Sequence, residues 1–187
     1  MNLIKNITAR TIVWSIILLL ILILPVIMQF TDEISVGEAV AYGVLLLIAG
    51  GFYELWKWLK IRTKKYRIAF GIGFGGALLL GWANGAVGII GSENNPANLM
   101  YGAVFAVGLV GCLLSQLRPR GMVYTLFTAA IVQLLIPVIA LFIWPAQASW
   151  GDAGVIGVFI INVFFALIFV GSSLVFRQVY LMERKNN

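Results

Sequence analysis

The sequence predicts an all-α, polytopic membrane protein of six transmembrane helices, arranged as three antiparallel hairpins with both termini on the inner side. Three observations predict it. Apolar residues make up 61% of the chain and charged residues 11%, whereas soluble domains carry about a quarter charged residues. The apolar residues gather in long runs separated by short polar turns. Every one of the 13 Lys and Arg residues then falls at alternate ends of those runs: Lys5 and Arg10; Lys57, Lys60, Arg62, Lys64, Lys65 and Arg67; Arg118 and Arg120; Arg177, Arg184 and Lys185. The intervening connections hold Asp32, Glu33, Glu38, Glu93 and Asp152 instead. Short loops rich in Lys and Arg stay cytoplasmic, so an even number of crossings follows.

Six helices of about 20 residues each use nearly all of the 187 residues. The chain therefore reads as a single transmembrane domain, 1–187. Its formal charge of +6 is the sum of the positive-inside bias. It points to anionic lipid headgroups at the cytoplasmic face, and not to nucleic acid.

The first helix is expected over about 11–30. Lys5 and Arg10 precede it as they would a signal peptide, but the apolar run is too long and no small-residue cleavage site follows. Its Ile and Leu run reads as lipid-facing. The second helix is expected over 35–60, the third over 67–91, the fourth over 96–117, the fifth over 121–144 and the sixth over 152–177. The connections at Ser92–Asn95 and at Arg118–Gly121 read as tight antiparallel turns. Trp14, Trp56, Trp58, Trp144 and Trp150 fall near helix ends, where aromatic rings sit at headgroup level. Trp82 falls well inside the third helix and does not fit.

Glycine marks close packing. The third helix carries Gly71/Gly75 and Gly81/Gly85 at four-residue spacing, and the fourth has Gly102, Gly108 and Gly111. Small residues four apart allow membrane helices to approach closely, which makes helices three and four the expected central hairpin. Short words also recur. Ile23–Ile27 resembles Leu135–Ile139, and Gly37-Glu38-Ala39 resembles Gly151-Asp152-Ala153, compatible with three like-oriented hairpins.

Polar residues supply the candidate sites. Gly91–Asn98 is the densest polar stretch: Gly91 is placed to end one helix in a left-handed conformation, and Asn95 and Pro96 to start the next. Ser92, Glu93, Asn94, Asn95 and Asn98 exceed what capping needs, so this turn is the candidate ligand or partner site. Asn84, Gln133 and Asn162 are the candidate intramembrane polar residues, either as interhelical hydrogen bonds or, if they share an axis, as a polar path. Lys57, Lys60, Arg62, Lys64, Lys65 and Arg67 are the candidate lipid-headgroup contacts. Glu54, three residues from Lys57, reads as an interfacial ion pair. Glu38, Glu93 and Asp152 start helices two, four and six, where carboxylates compensate the helix dipole or would ring a mouth. Pro25 and Pro137 interrupt crossing helices.

The chain has no His, and Cys112 stands alone. No helix assembles an acid, a base and a nucleophile at one depth. No catalytic residue, metal ligand or cofactor is assigned, and an enzyme is the least favoured reading.

From 77 to 121 the chain becomes distinctive. The stretch WANGAVGIIGSENNPANLMYG at 82–102, followed by RPRGM at 118–122, resembles a family of small, uncharacterised bacterial multipass inner-membrane proteins. Weaker similarity at Tyr53-Glu54 and in the last helix extends the resemblance over most of the chain. It implies a prokaryotic plasma membrane and brings no activity, substrate or cofactor. The sequence thus leads to an integral inner-membrane protein of unassigned activity. The first expectation is an interaction or accessory protein in contact with lipid, as a homo-oligomer or with a partner membrane protein. The alternative is a small transporter or channel for a neutral or cationic solute.

Overall fold

A computed structural model describes residues 12–20, 23, 36–143 and 150–186, apart from the side chains of 36–42 and 45. Among these residues all regular structure is helical. Residues 12–20 form α1, followed by α2 (Val36–Lys60), α3 (Lys64–Ala86), a 3-10 segment (Pro96–Tyr101), α4 (Gly102–Ser115), α5 (Pro119–Phe142) and α6 (Gly154–Asn186). Four helical segments, Lys64–Ala86, Pro96–Ser115, Pro119–Phe142 and Gly154–Asn186, are long and apolar enough to cross a membrane. The residues group into two compact units, Met1–Arg62 and Thr63–Asn187. Lys5, Arg10, Pro25, Asp32, Glu33, Trp144 and the Glu38 side chain lie outside the described residues.

In the first unit α1 meets α2 at Gly50, where an added Cβ would lie 2.9 Å from the Ile17 side chain and 3.1 Å from the Trp14 ring. Trp14 Nε1 donates to Glu54 Oε1 at 2.9 Å, so that carboxylate is held by an indole. Along α2, aromatic rings and cations pair four residues apart. Lys57 sits 4.9 Å from the Tyr53 ring, Lys60 5.5 Å from Trp56 and Arg62 4.5 Å from Trp58. One helical turn separates Tyr53 from Lys57 and Trp56 from Lys60, whereas Arg62 lies past the end of α2 and reaches back over Trp58.

In the second unit α6 is the shared partner. α5 and α6 have the most extensive contact, α3 packs on α6 and α4 on α5, while α3 and α4 meet far less. Two adjacent serines explain the hub. Ser172 Oγ donates to the Ala69 carbonyl of α3 at 2.7 Å, and Ser173 Oγ to the Val123 carbonyl of α5 at 2.9 Å. Small residues set the spacing: a Cβ on Gly73 would lie 2.7 Å from Ser172 Oγ, and one on Gly76 would lie 2.5 Å from Ile168. Gly111 plays the same part between α4 and Thr125 of α5. The helix order across the unit is therefore α3, α6, α5, α4, an arc with a gap between its first and last members.

Charge divides the unit's two ends. Tyr66, beside the start of α3, donates from its hydroxyl to the Leu117 carbonyl at 2.7 Å, and its ring meets Phe176 edge-on at 5.0 Å. Lys64, Lys65, Arg67, Arg118, Arg120, Arg177, Arg184 and Lys185 consequently share one end, the basic end. At the opposite end Gly151 lies against the Gly91 backbone, which brings the turns carrying Glu93 and Asp152 together.

Several expectations are corrected. The third helix ends at Ala86 and not at 91. Gly91 is left-handed as expected (φ +80°), but it lies beyond the helix, and Gly88 (φ +70°), where any Cβ would collide with the Ser92 backbone, is the left-handed residue nearer the helix end. Trp82 then lies one turn from its helix end and is exposed, which resolves its odd placement. The fourth helix opens with a 3-10 segment and closes at Ser115, followed by Gln116 and Leu117 with φ of 50° and 57°. The sixth helix runs nine residues past 177, because the charged tail has good helix formers. Among the described residues, Gly71, Gly75 and Gly85 face nothing within 4 Å, and Gly81 alone of the expected four meets α4, 3.3 Å from Phe105. Helices three and four are therefore not the central hairpin. The contacting glycines on α3 are three apart, on the face turned to α6.

This packing predicts opposite outcomes for neighbouring glycines. Gly76→Ala should lower thermal stability in detergent by about 1–3 kcal/mol, the usual cost of overpacking. Gly75→Ala should be neutral or slightly stabilising. Equal melting temperatures for the two variants would contradict the α3–α6 contact.

Candidate functional site

The connection from α3 to α4 is built around one side chain. Asn98 Oδ1 accepts from the backbone N–H of Ile89 at 3.1 Å and of Ile90 at 2.9 Å. Its Nδ2 donates to the carbonyls of Ser92 at 2.6 Å and Ile90 at 3.4 Å. Asn95 Oδ1 accepts from Ala97 N–H at 3.0 Å and starts the 3-10 segment, with Pro96 at its first position. Both amides are buried, as are Ile89, Ile90 and Ala97. Of the candidate turn residues, then, Asn95 and Asn98 are consumed in folding the turn, while Ser92, Glu93 and Asn94 remain exposed. Leu99 stands beside them, 81% exposed.

The three intramembrane candidates divide. Gln133 and Asn162 are fully buried and come together: Gln133 Nε2 donates to Asn162 Oδ1 at 2.9 Å. Asn162 Nδ2 donates to the Val158 carbonyl at 2.8 Å and to the Tyr101 hydroxyl at 2.9 Å. The Tyr101 hydroxyl lies 3.1 Å from Asn162 Oδ1. Asn84 does not join them. Its Nδ2 donates to the Asn98 carbonyl at 3.3 Å, so it braces the polar turn. Among the described residues, the buried acceptors Asn84 Oδ1 and Gln133 Oε1 have no hydrogen-bond donor.

Sequence reasoning missed Tyr101, the third member of this knot. Its position in the 3-10 segment, one turn beyond Asn98, sets its hydroxyl toward α6. Pro137 adds to the picture. It lies four residues after Gln133 and has no N–H, so the Gln133 carbonyl lacks its helical donor. The knot is thus rich in acceptors around a residue that water cannot reach from outside.

The gap in the helix arc forms an apolar crevice of about 280 Å³. Phe74 and Leu78 of α3 face Phe105 and Leu109 of α4 across it, and Met122 and Phe169 floor it. Leu78 and Leu109 are exposed at its rim. A dry, hydrocarbon-lined space of this size accepts apolar ligands and holds no water without polar partners. A shallower groove of about 590 Å³ lies between α4 and α5, bordered by Val107, Leu114 and Tyr124.

The six lipid candidates are distributed over both units. Lys57, Lys60 and Arg62 sit over aromatic rings of α2, and Lys64, Lys65 and Arg67 are exposed on the first turn of α3. Arg118 and Arg120 join the latter three at the basic end. Among the described residues no cluster of His, Cys, Asp and Glu could hold a metal.

The turn can be tested against its exposed neighbour. Asn98→Ala removes both acceptors and donors from a buried loop, and each orphaned backbone group costs about 1–3 kcal/mol. Loss of a cooperative melt is expected, whereas Asn94→Ala should leave melting unchanged. A stable Asn98→Ala variant would remove Asn98 from the centre of the turn. No family model, curated protein or solved structure matches this chain, so its own chemistry carries the functional reading.

Proposed function

We propose that the chain is a six-span protein of a bacterial inner membrane, cytoplasmic at both ends, that acts as an interaction or accessory protein in contact with anionic lipid. One observation carries the reading: the division of charge along the second unit. Eight Lys and Arg residues gather at one end and Glu93 and Asp152 at the other. Such a division follows the positive-inside rule and brings a cationic surface to the leaflet that holds anionic headgroups. Four apolar helices of spanning length support membrane residence, and the apolar stretches at about 11–30 and 35–60 are assigned the further two crossings.

The exposed Ser92, Glu93, Asn94 and Leu99 make a compact patch on the opposite face, of a kind that suits a partner membrane protein or a second copy. The transport alternative has less support. Gln133, Asn162 and Tyr101 bond to one another and are closed off, and both grooves have apolar walls.

Single cysteines at Thr63 and Asn94 test the sidedness. The Asn94→Cys protein should react with an impermeant maleimide in intact spheroplasts, and the Thr63→Cys protein only after permeabilisation. Reaction of both from one side refutes the topology. Proteoliposomes separate the function classes. The accessory reading expects no flux of neutral or cationic solutes, and a flux abolished by Asn162→Leu would replace it with transport.

A further inference from the structure

We propose that the crevice between α3 and α4 holds a hydrocarbon chain of an anionic glycerophospholipid, with the lipid phosphate held by Arg67 and Arg118. The inference rests on the lipid-contact reading above and makes it specific to one site.

The helix registers align charge with crevice. Arg67 precedes Phe70 by three residues, Phe74 by seven and Leu78 by eleven, so it occupies the crevice face of α3, one turn nearer the basic end. Arg118 is the N-cap residue of α5, one turn before Met122, so it stands at the basic end of the helix that floors the crevice with Met122, Thr125 and Ala129. The two cations are also tied together. Tyr66 and Leu117, joined at 2.7 Å, are their immediate chain neighbours. Both arginines are exposed, and among the described residues no ion pair or side-chain hydrogen bond engages either one.

Chemistry selects the occupant. A crevice with apolar walls favours hydrocarbon over water. The guanidinium fork matches phosphate oxygens in paired geometry, which an ammonium does not. An apolar slot that opens sideways between two spanning helices, with two unpaired arginines at one end, is complementary to an acyl chain below an anionic phosphate. Gly108 contributes to the slot, and a Cβ there meets nothing within 4 Å among the described residues, so this position opens on the acyl space.

The test uses the full-length chain in mild detergent with equimolar phosphatidylglycerol and phosphatidylcholine of identical acyl chains, and native mass spectrometry counts retained lipid. The wild type should prefer phosphatidylglycerol by about tenfold, equivalent to about 1.4 kcal/mol. Arg67→Gln with Arg118→Gln should bring that preference to about one. Gly108→Leu should reduce retention of both lipids, with Ala77→Leu as the second filling variant should the first fail to fold. A preference that survives the double arginine variant, and disappears on neutralising Lys57, Lys60 and Lys64, would overturn this site while leaving lipid contact intact. Unchanged retention in both filling variants would overturn the crevice. A dimer lost on Gly108→Leu would place a second copy there instead. No preference in the wild type would remove the site and the lipid reading together.

Discussion

The structure of the second unit depends on one constraint: backbone amides buried away from water must find partners within the protein. Helices meet it automatically, and the connection at 87–95 is the place where it is hard to meet. Asn98 meets it by serving two N–H groups and two carbonyls from a single side chain. With those groups satisfied, Ile89 and Ile90 can be buried without being helical, and α3 can stop at Ala86. The shorter helix brings Trp82 to its rim. The 3-10 segment that follows holds Tyr101 at the depth of Asn162, so a turn at the surface governs a hydrogen bond in the core.

The second determinant is the position of α6. Two consecutive serines reach opposite neighbours, and the neighbouring glycines of α3 let the backbones close to contact. Hydrogen bonds between membrane helices contribute only about 0.6 kcal/mol on average, so the serines do less for stability than for choosing partners. They draw α3 to α6 rather than to α4, its neighbour in sequence. The crevice is the direct result: a four-helix arc closed on three sides leaves the α3–α4 side open. The same arrangement brings Arg67 and Arg118 to one end of that opening.

Much of this was legible in the chain and some was not. The helical class, the presence of apolar helices of spanning length, and the capping role of Asn95 and Pro96 all follow from local chemistry. The three intramembrane amides were legible only as a group, and their division into a Gln133–Asn162 pair and a separate Asn84 was not. What failed were inferences from spacing alone. Gly71 and Gly75 satisfy a small-residue motif yet face no neighbour, because a four-residue period marks a face and does not say what lies opposite. Ser172 and Ser173 identify the true contact, but two hydroxyls in a long apolar run resemble routine substitutions until their acceptors are known. The end of α3 was misplaced for a related reason. Gly88 and Gly91 are equally able to terminate a helix, and only Asn98, seven or more residues further on, decides between them.

The buried knot bears on the choice between scaffold and conduit. A permeation path needs polar groups that can exchange partners with a passing solute. Asn162 instead has both of its amide atoms engaged, with Gln133, Tyr101 and the Val158 carbonyl as partners. The spare capacity is on the acceptor side, at Gln133 Oε1 and at the carbonyl that Pro137 deprives of a donor. Such a knot fixes the rotation of α5 and α6 about their axes, since turning either helix would strand buried amides. The cost of stranding them is what holds the arc in one register, and a fixed register is what keeps the crevice and its two arginines aligned.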